Sequence, residues 1–135
     1  MVNFKQLIIF IVATILTIFL SLKAKNWYHN KNYSKILFEK TEISMDTIIT
    51  QKQAEIFFNY KNIGNKSLKI FRIETSCGCT IPTFNTKLIL PNKEDRFKVR
   101  YERVNKGFFT KELIVYSNSI TSPDRLVISG FVPFD

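Results

Sequence analysis

In the stretch Ala54-Glu55-Ile56-Phe57-Phe58-Asn59-Tyr60, Ala54, Ile56, Phe58 and Tyr60 alternate with Glu55, Phe57 and Asn59. Successive side chains of an extended chain point to opposite faces, so this alternation marks a strand with one face in a core. The same pattern recurs where Phe97, Val99 and Tyr101 alternate with Lys98 and Arg100. Leu68 and Ile70 with Ile73 lead into a cysteine-bearing loop, and Leu113 with Val115 and Leu126 with Ile128 carry two more strands. Ile36-Leu37-Phe38 opens another, read here as continuing through Ile43. The separators are turn chemistry: Asn62-Ile63-Gly64-Asn65-Lys66, Pro91-Asn92-Lys93, Asn105-Lys106-Gly107 and Ser117-Asn118 to Pro123. About seven short strands at this spacing, with no amphipathic helix among them, predict an all-β, immunoglobulin-like sandwich. The aromatic residues of these strands are then core fillers first. Phe108 and Phe109 beside Gly107 are candidates for an exposed hydrophobic contact.

The segment before the strands is of a different kind. Leu7 to Leu22 carries no charge, is preceded by Lys5 and is followed by Lys23 and Lys25. A water-exposed helix of a globular domain keeps one polar side, and this run has none. It is slightly shorter than the ~20 residues that span a bilayer, and the stems of Lys5, Lys23 and Lys25 extend it by snorkelling. Trp27 and Tyr28 stand where an interfacial aromatic anchor is expected. The alternative, a cleaved signal peptide, wants small residues before its cleavage site, whereas the nearest candidate here is Leu22-Lys23-Ala24. The division expected is a membrane anchor or signal over residues 1–25, a polar stalk over 26–35 and the sandwich over 36–135. Orientation is contested: Lys23, Lys25, Lys31 and Lys35 outnumber Lys5, which favours a cytoplasmic domain, while the signal-like N-terminus favours export.

Net charge is +9 over the 135 residues. Beyond residue 25 there are 17 Lys and Arg against 11 Asp and Glu, or +6. The cations are spread singly, as in Lys66, Lys69, Arg72, Lys98, Arg100 and Arg103, which suits solvated sheet faces better than one anionic target. Phospholipid headgroups are the anionic partner a tethered basic domain would meet. Nucleic acid is disfavoured, since no zinc finger, helix-turn-helix or aromatic RNA-binding signature is present.

One loop stands out: Thr75-Ser76-Cys77-Gly78-Cys79-Thr80, with the only two cysteines of the chain. Two extended residues separate their Cα atoms by about 6.6–7 Å, near the upper limit for a disulfide. Gly78 supplies freedom to tighten that distance, and the resulting ring is expected to be strained and easily reduced. So small a loop constrains the unfolded chain little. Three readings stay open: a local disulfide or packed thiols, a redox-active or partner-tethering pair, and a Cu(I) site on the two thiolates. Ser76, Gly78 and Thr80 are the candidate supports of the loop. Zinc is disfavoured, because a closed site takes four ligands and the single His29 lies in the stalk. No other cofactor is implied.

The order Asn59-Tyr60-Lys61-Asn62-Ile63-Gly64-Asn65, Leu68-Lys69-Ile70, Ser76-Cys77-Gly78-Cys79-Thr80, Pro91, Gly107-Phe108-Phe109-Thr110-Lys111, Ser117-Asn118 and Ile128-Ser129-Gly130-Phe131-Val132 resembles the domain of unknown function 1573 family over about residues 36 to 132. That resemblance implies an immunoglobulin-like sandwich related to the domains of ciliary and major-sperm-protein-like proteins, carried on an exported bacterial chain that faces the periplasm. It implies no activity. Two departures are visible. The family commonly has a His-Asp-Phe-Gly-like turn where this chain reads Ser44-Met45-Asp46-Thr47, and Pro-Gly where it reads Pro91-Asn92. The first removes a histidine and weakens the metal reading.

Catalytic signatures are sparse. Nucleophilic cysteine chemistry wants a base within reach, and His29 is the only histidine. Glu39, Glu42 and Asp46 lie close in sequence, but alternation and exposure account for them without an acid–base pair. The four glycines form no phosphate-binding loop. The functional expectation is a binding or assembly module held at the inner membrane, taking an envelope protein as partner and no small-molecule substrate. The alternative is a thiol-disulfide or Cu(I) module built on Cys77 and Cys79.

Overall fold

Leu7 to Leu22 contains neither proline nor glycine, and in the computed structural model it forms the middle of one helix, α1 (Phe4–Lys31). Residues 3–103 and 105–134 are described, without the side chains of residues 29–31, so the side chain of His29 lies outside the described residues. The 25 residues Phe4–Tyr28 are long and apolar enough to cross a membrane, at about 37 Å of helical rise. A membrane anchor and a signal sequence both take this form. The hydroxyls of Thr14, Thr17 and Ser21 donate to the carbonyls of Ile11, Thr14 and Ile18, each at 2.8 Å, so they need no water. Lys23 lies with its Nζ 5.2 Å from the centre of the Phe19 ring. The polar residues from Asn26 onward, read as a stalk, continue the helix through Lys31. The helical unit ends at Asn32 and a second unit begins at Tyr33, so Tyr33, Ser34 and Lys35 belong with the sandwich.

Eight strands make the sandwich: β1 (Ile36–Phe38), β2 (Glu42–Thr47), β3 (Glu55–Asn62), β4 (Ile70–Thr75), β5 (Thr80–Thr83), β6 (Glu94–Tyr101), β7 (Gly107–Ser117) and β8 (Asp124–Val132). One sheet has the order β1-β3-β6-β5, the other β2-β8-β7-β4. The single strand expected from Ile36 to Ile43 is two. β1 pairs antiparallel with β3, and β2 pairs parallel with β8. Glu39, Lys40, Thr41 and Glu42 supply no inward apolar side chain, so nothing holds that stretch in one sheet and the chain crosses to the other.

Inward positions fill the core as alternation requires. Phe58, Tyr60, Phe97, Val99 and Tyr101 meet Leu113, Val115, Leu126, Ile128 and Val132, with Leu68 and Ile70 between them. Phe58 stacks on Phe97 at 5.5 Å and Tyr101 on Phe109 at 3.9 Å. Phe109 requires Gly130 opposite it, because an added Cβ would come within 2.8 Å of its ring. Asn92 has φ 62°, a left-handed conformation that glycine adopts readily and asparagine tolerates, so Pro91-Asn92 can replace Pro-Gly.

Buried Asn62 fastens one end of the sandwich. Its Nδ2 donates to the carbonyls of Lys66 (2.7 Å) and Ile89 (2.9 Å), and its Oδ1 accepts from Gly64 N (3.0 Å). The turn so fixed receives the incoming chain: Asn65 N and Lys66 N donate to the Tyr33 carbonyl at 2.9 and 3.0 Å. A Cβ on Gly64 would lie 2.5 Å from that carbonyl oxygen. Asn62→Ala would strand several buried groups and is expected to cost about 2–3 kcal/mol in urea denaturation of the full chain in detergent. Asn65→Ala, which removes one exposed acceptor, is expected to cost less than about 1 kcal/mol. Equal losses would contradict this account of the turn.

Candidate functional site

β4 ends the outer edge of one sheet and β5 begins the outer edge of the other, so Ser76 to Cys79 carry the chain between sheets. This turn lies at the end of the sandwich opposite the Tyr33 entry, since β4 runs from Ile70, opposite Ser117, to Thr75, opposite Leu113. Cys77 and Cys79 are joined as a disulfide with Cα atoms 5.2 Å apart. That is within the ordinary range and shorter than the separation expected of two extended residues, because the backbone turns here. Gly78 does not achieve this through a left-handed φ, and an added Cβ would meet nothing beyond its chain neighbours.

Main-chain and hydroxyl contacts shape the turn. Thr75 Oγ1 donates to the Cys77 carbonyl at 2.9 Å, and Thr80 N to the same oxygen at 3.3 Å. Glu102 N donates to the Cys79 carbonyl at 2.7 Å. Ser76 N donates to the Glu112 carbonyl at 3.1 Å, while Ser76 Oγ accepts from Glu112 N at 3.2 Å. Ser76 and Thr80 each contribute main-chain and side-chain contacts to the turn. Both cysteines are half-buried, Cys79 packs on the core, and Thr80 is buried with its Oγ1 3.5 Å from Cys77 Sγ. A two-thiolate Cu(I) site would require this bond to be opened first. Among the described residues no three of His, Cys, Asp and Glu gather as a metal site.

The remaining polar candidates disperse. Glu39 accepts from Asn59 Nδ2 at 2.8 Å and Asp46 from Ser44 Oγ at 3.3 Å, separately. Lys61 pairs with Glu94, Arg72 with Glu74, Lys98 with Glu55, Arg100 with Glu102 and Arg125 with Glu112. Many cations of the diffuse basic charge are thus partnered on exposed faces, where each pair contributes about 0–1 kcal/mol. Burial, with Asp95 alongside, raises the pKa of Tyr60. Burial also raises that of Asp124, against an opposing hydrogen bond from Thr121. Tyr60 pairs with Phe38 near the entry, and Asp124 opens β8 at that same end, so neither serves the cysteine turn.

Sequence reasoning left a second feature unassembled. Phe109 is in the core, whereas Phe108 is 89% exposed. Phe108 lies across from Phe131 in the β7–β8 register, with ring centres 4.7 Å apart, and Phe134, 72% exposed, is 6.3 Å from Phe131. Gly107, at φ 94°, lets the chain turn beside the Phe134 ring. Pairing Gly130 with Phe109 was the missing step, because it alone places Phe131 outward beside Phe108.

A two-sheet sandwich in which the chain crosses sheets between β1 and β2, and β2 pairs parallel with β8, resembles PapD-like, immunoglobulin-like domains. The chain belongs to the DUF1573 family, described as a protein of unknown function, whose model matches residues 36–132. No curated protein sequence matches it. Among solved structures it is similar to a protein of unknown function from Porphyromonas gingivalis, with a TM-score of 0.64 and 11% identity over 75% of this chain and 48% of that one. The chain thus spans about half of that protein. It is also similar to the ASH/PapD-like domain 7 of human CEP192, with a TM-score of 0.61 and 11% identity over 76% of this chain and 89% of that one. A third likeness is the CsuC–CsuE chaperone–tip adhesion subunit pre-assembly complex of Acinetobacter baumannii, with a TM-score of 0.52 and 12% identity over 73% and 56% of the chains. These likenesses concern the fold.

Two outcomes follow from the geometry. Changing both Cys77 and Cys79 to Ser is expected to cost no more than about 2 kcal/mol of stability, because the closed loop is so short; loss of folding would show that the bond is a principal staple. For Asp124, a carboxyl raised in the folded state holds more protons there than unfolded, so stability falls as pH rises through the window just above the ordinary carboxylate range. Asp124→Asn is expected to raise the urea midpoint at about pH 7 and to lose that gain at about pH 3. An unchanged midpoint at neutral pH would contradict the desolvation of Asp124.

Proposed function

We propose that this chain is a single-pass, membrane-anchored assembly module whose sandwich faces the periplasm and holds an envelope protein, without catalysis of its own. The cluster of exposed Phe108 and Phe134 around half-buried Phe131 carries the reading. Contiguous apolar surface on a soluble face marks an interaction site, and a phenyl group as exposed as Phe108 contributes nothing to the core. Its position at the end of the sandwich away from Tyr33 leaves it open to a partner. The matching partner surface is apolar at its centre. An uncleaved α1 agrees with the poor cleavage site after Leu22, and a disulfide agrees with an oxidising compartment. Several structures of similar fold are chaperones, one of them a periplasmic chaperone and another captured as a chaperone–tip adhesion subunit pre-assembly complex.

A photo-crosslinking residue placed at Phe108 in intact cells is expected to give a discrete adduct with one envelope protein, and the same residue at Thr110, exposed on the same strand, much less. Phe131→Asp should abolish the Phe108 adduct while shifting stability by less than about 1 kcal/mol. Equal labelling from positions 108 and 110 would contradict the reading.

A further inference from the structure

The contacts that shape the Ser76 to Cys79 turn do not pass through its sulfur atoms. The Cys77 carbonyl is held by Thr75 and Thr80, the Cys79 carbonyl by Glu102, and Ser76 by Glu112. These groups belong to β4, β5, β7 and the segment after β6, and none of these hydrogen bonds uses a sulfur atom. So short a closed loop also removes little entropy from the unfolded chain. The bond is therefore dispensable to the frame that positions it. The two sulfurs are not equivalent: Cys79 packs against the core, whereas Cys77 stands outside that cluster beside the Thr80 hydroxyl at 3.5 Å.

We infer that Cys77–Cys79 is an exchange site for a dithiol oxidoreductase, with Cys77 as the sulfur attacked. A partner thiolate attacks Cys77 Sγ; the new partner–Cys77 disulfide forms as the Cys77–Cys79 bond breaks, and Cys79 leaves as a thiolate that takes a proton from water. The partner's second thiolate then attacks the partner's own sulfur in that mixed disulfide, and Cys77 leaves as a thiolate. Two electrons pass from the partner dithiol to this pair, and the partner ends as a disulfide. The Thr80 hydroxyl donates to the departing Cys77 sulfur, which lowers the barrier to the second step. Buried Thr80 is fixed for this by its own strand, β5. The site is separate from the Phe108 cluster and stands or falls independently of it.

The test uses the oxidised full chain in detergent, reduced glutathione as the thiol, acid quenching, and peptide mass spectrometry. The pair should be reduced without denaturant and with unchanged near-ultraviolet circular dichroism. Early quenching should find glutathione on Cys77 about tenfold more often than on Cys79. Thr80→Val should accumulate several-fold more of the Cys77 adduct, and Thr80→Ser should restore the ordinary level. Resistance to glutathione until urea unfolds the domain would overturn the inference, as would collapse of the near-ultraviolet signal on reduction. Equal adducts on the two cysteines would overturn the assignment of Cys77, and that result does not depend on any variant folding.

Discussion

The sandwich depends on a buried amide that replaces water for three main-chain groups, two in the turn after β3 and one at Ile89. Asn62 ends β3 inside the protein, and its side chain satisfies the carbonyls of Lys66 and Ile89 and the amide of Gly64. Its own main chain accepts from Asn92 N and donates to the Lys93 carbonyl, at 2.8 and 3.0 Å. Left without partners, such groups would each cost a desolvation penalty. Satisfied together, they fix where β4 starts, where β6 starts and where the chain enters at Tyr33. Ser34 and Ser119 extend the same fastening: Ser34 Oγ donates to the Asn118 carbonyl at 2.6 Å and Ile36 N to Ser119 Oγ at 3.0 Å.

The opposite end of the sandwich is built differently. There the chain crosses between sheets through the cysteine turn, and β7 opens and β8 closes with outward phenyl rings. Order at the entry and chemistry at the far end follow from one architecture, in which strands pinned at one end present their loops at the other.

Alternation made the strands and most of the core legible, because a half-buried strand writes its two faces directly into the sequence. It could not show that Ile36 to Ile43 divides between sheets, since a run of polar residues reads equally as an exposed strand or as a crossing. Nor could it show helix beyond Asn26, where Asn and Lys carry no apolar period and only continuity with α1 supports them. The cysteine turn was visible as a motif, and its supports Ser76 and Thr80 were named. Its anchors Glu102 and Glu112 were not, because both contribute main-chain groups from strands distant in sequence. Phe131 and Phe134 stayed hidden for a related reason: their neighbour Phe108 is fixed by strand register, which a single sequence does not print.

The central claim is an exported sandwich, held by α1, whose two cysteines are bonded to each other. Thiol labelling of intact cells with a membrane-impermeant reagent, before and after mild reduction and read by mass spectrometry, tests it most directly. Labelling of Cys77 and Cys79 only after reduction is the result this account predicts. Free thiols that escape the impermeant reagent and react only after lysis would place the domain in the cytoplasm and contradict it.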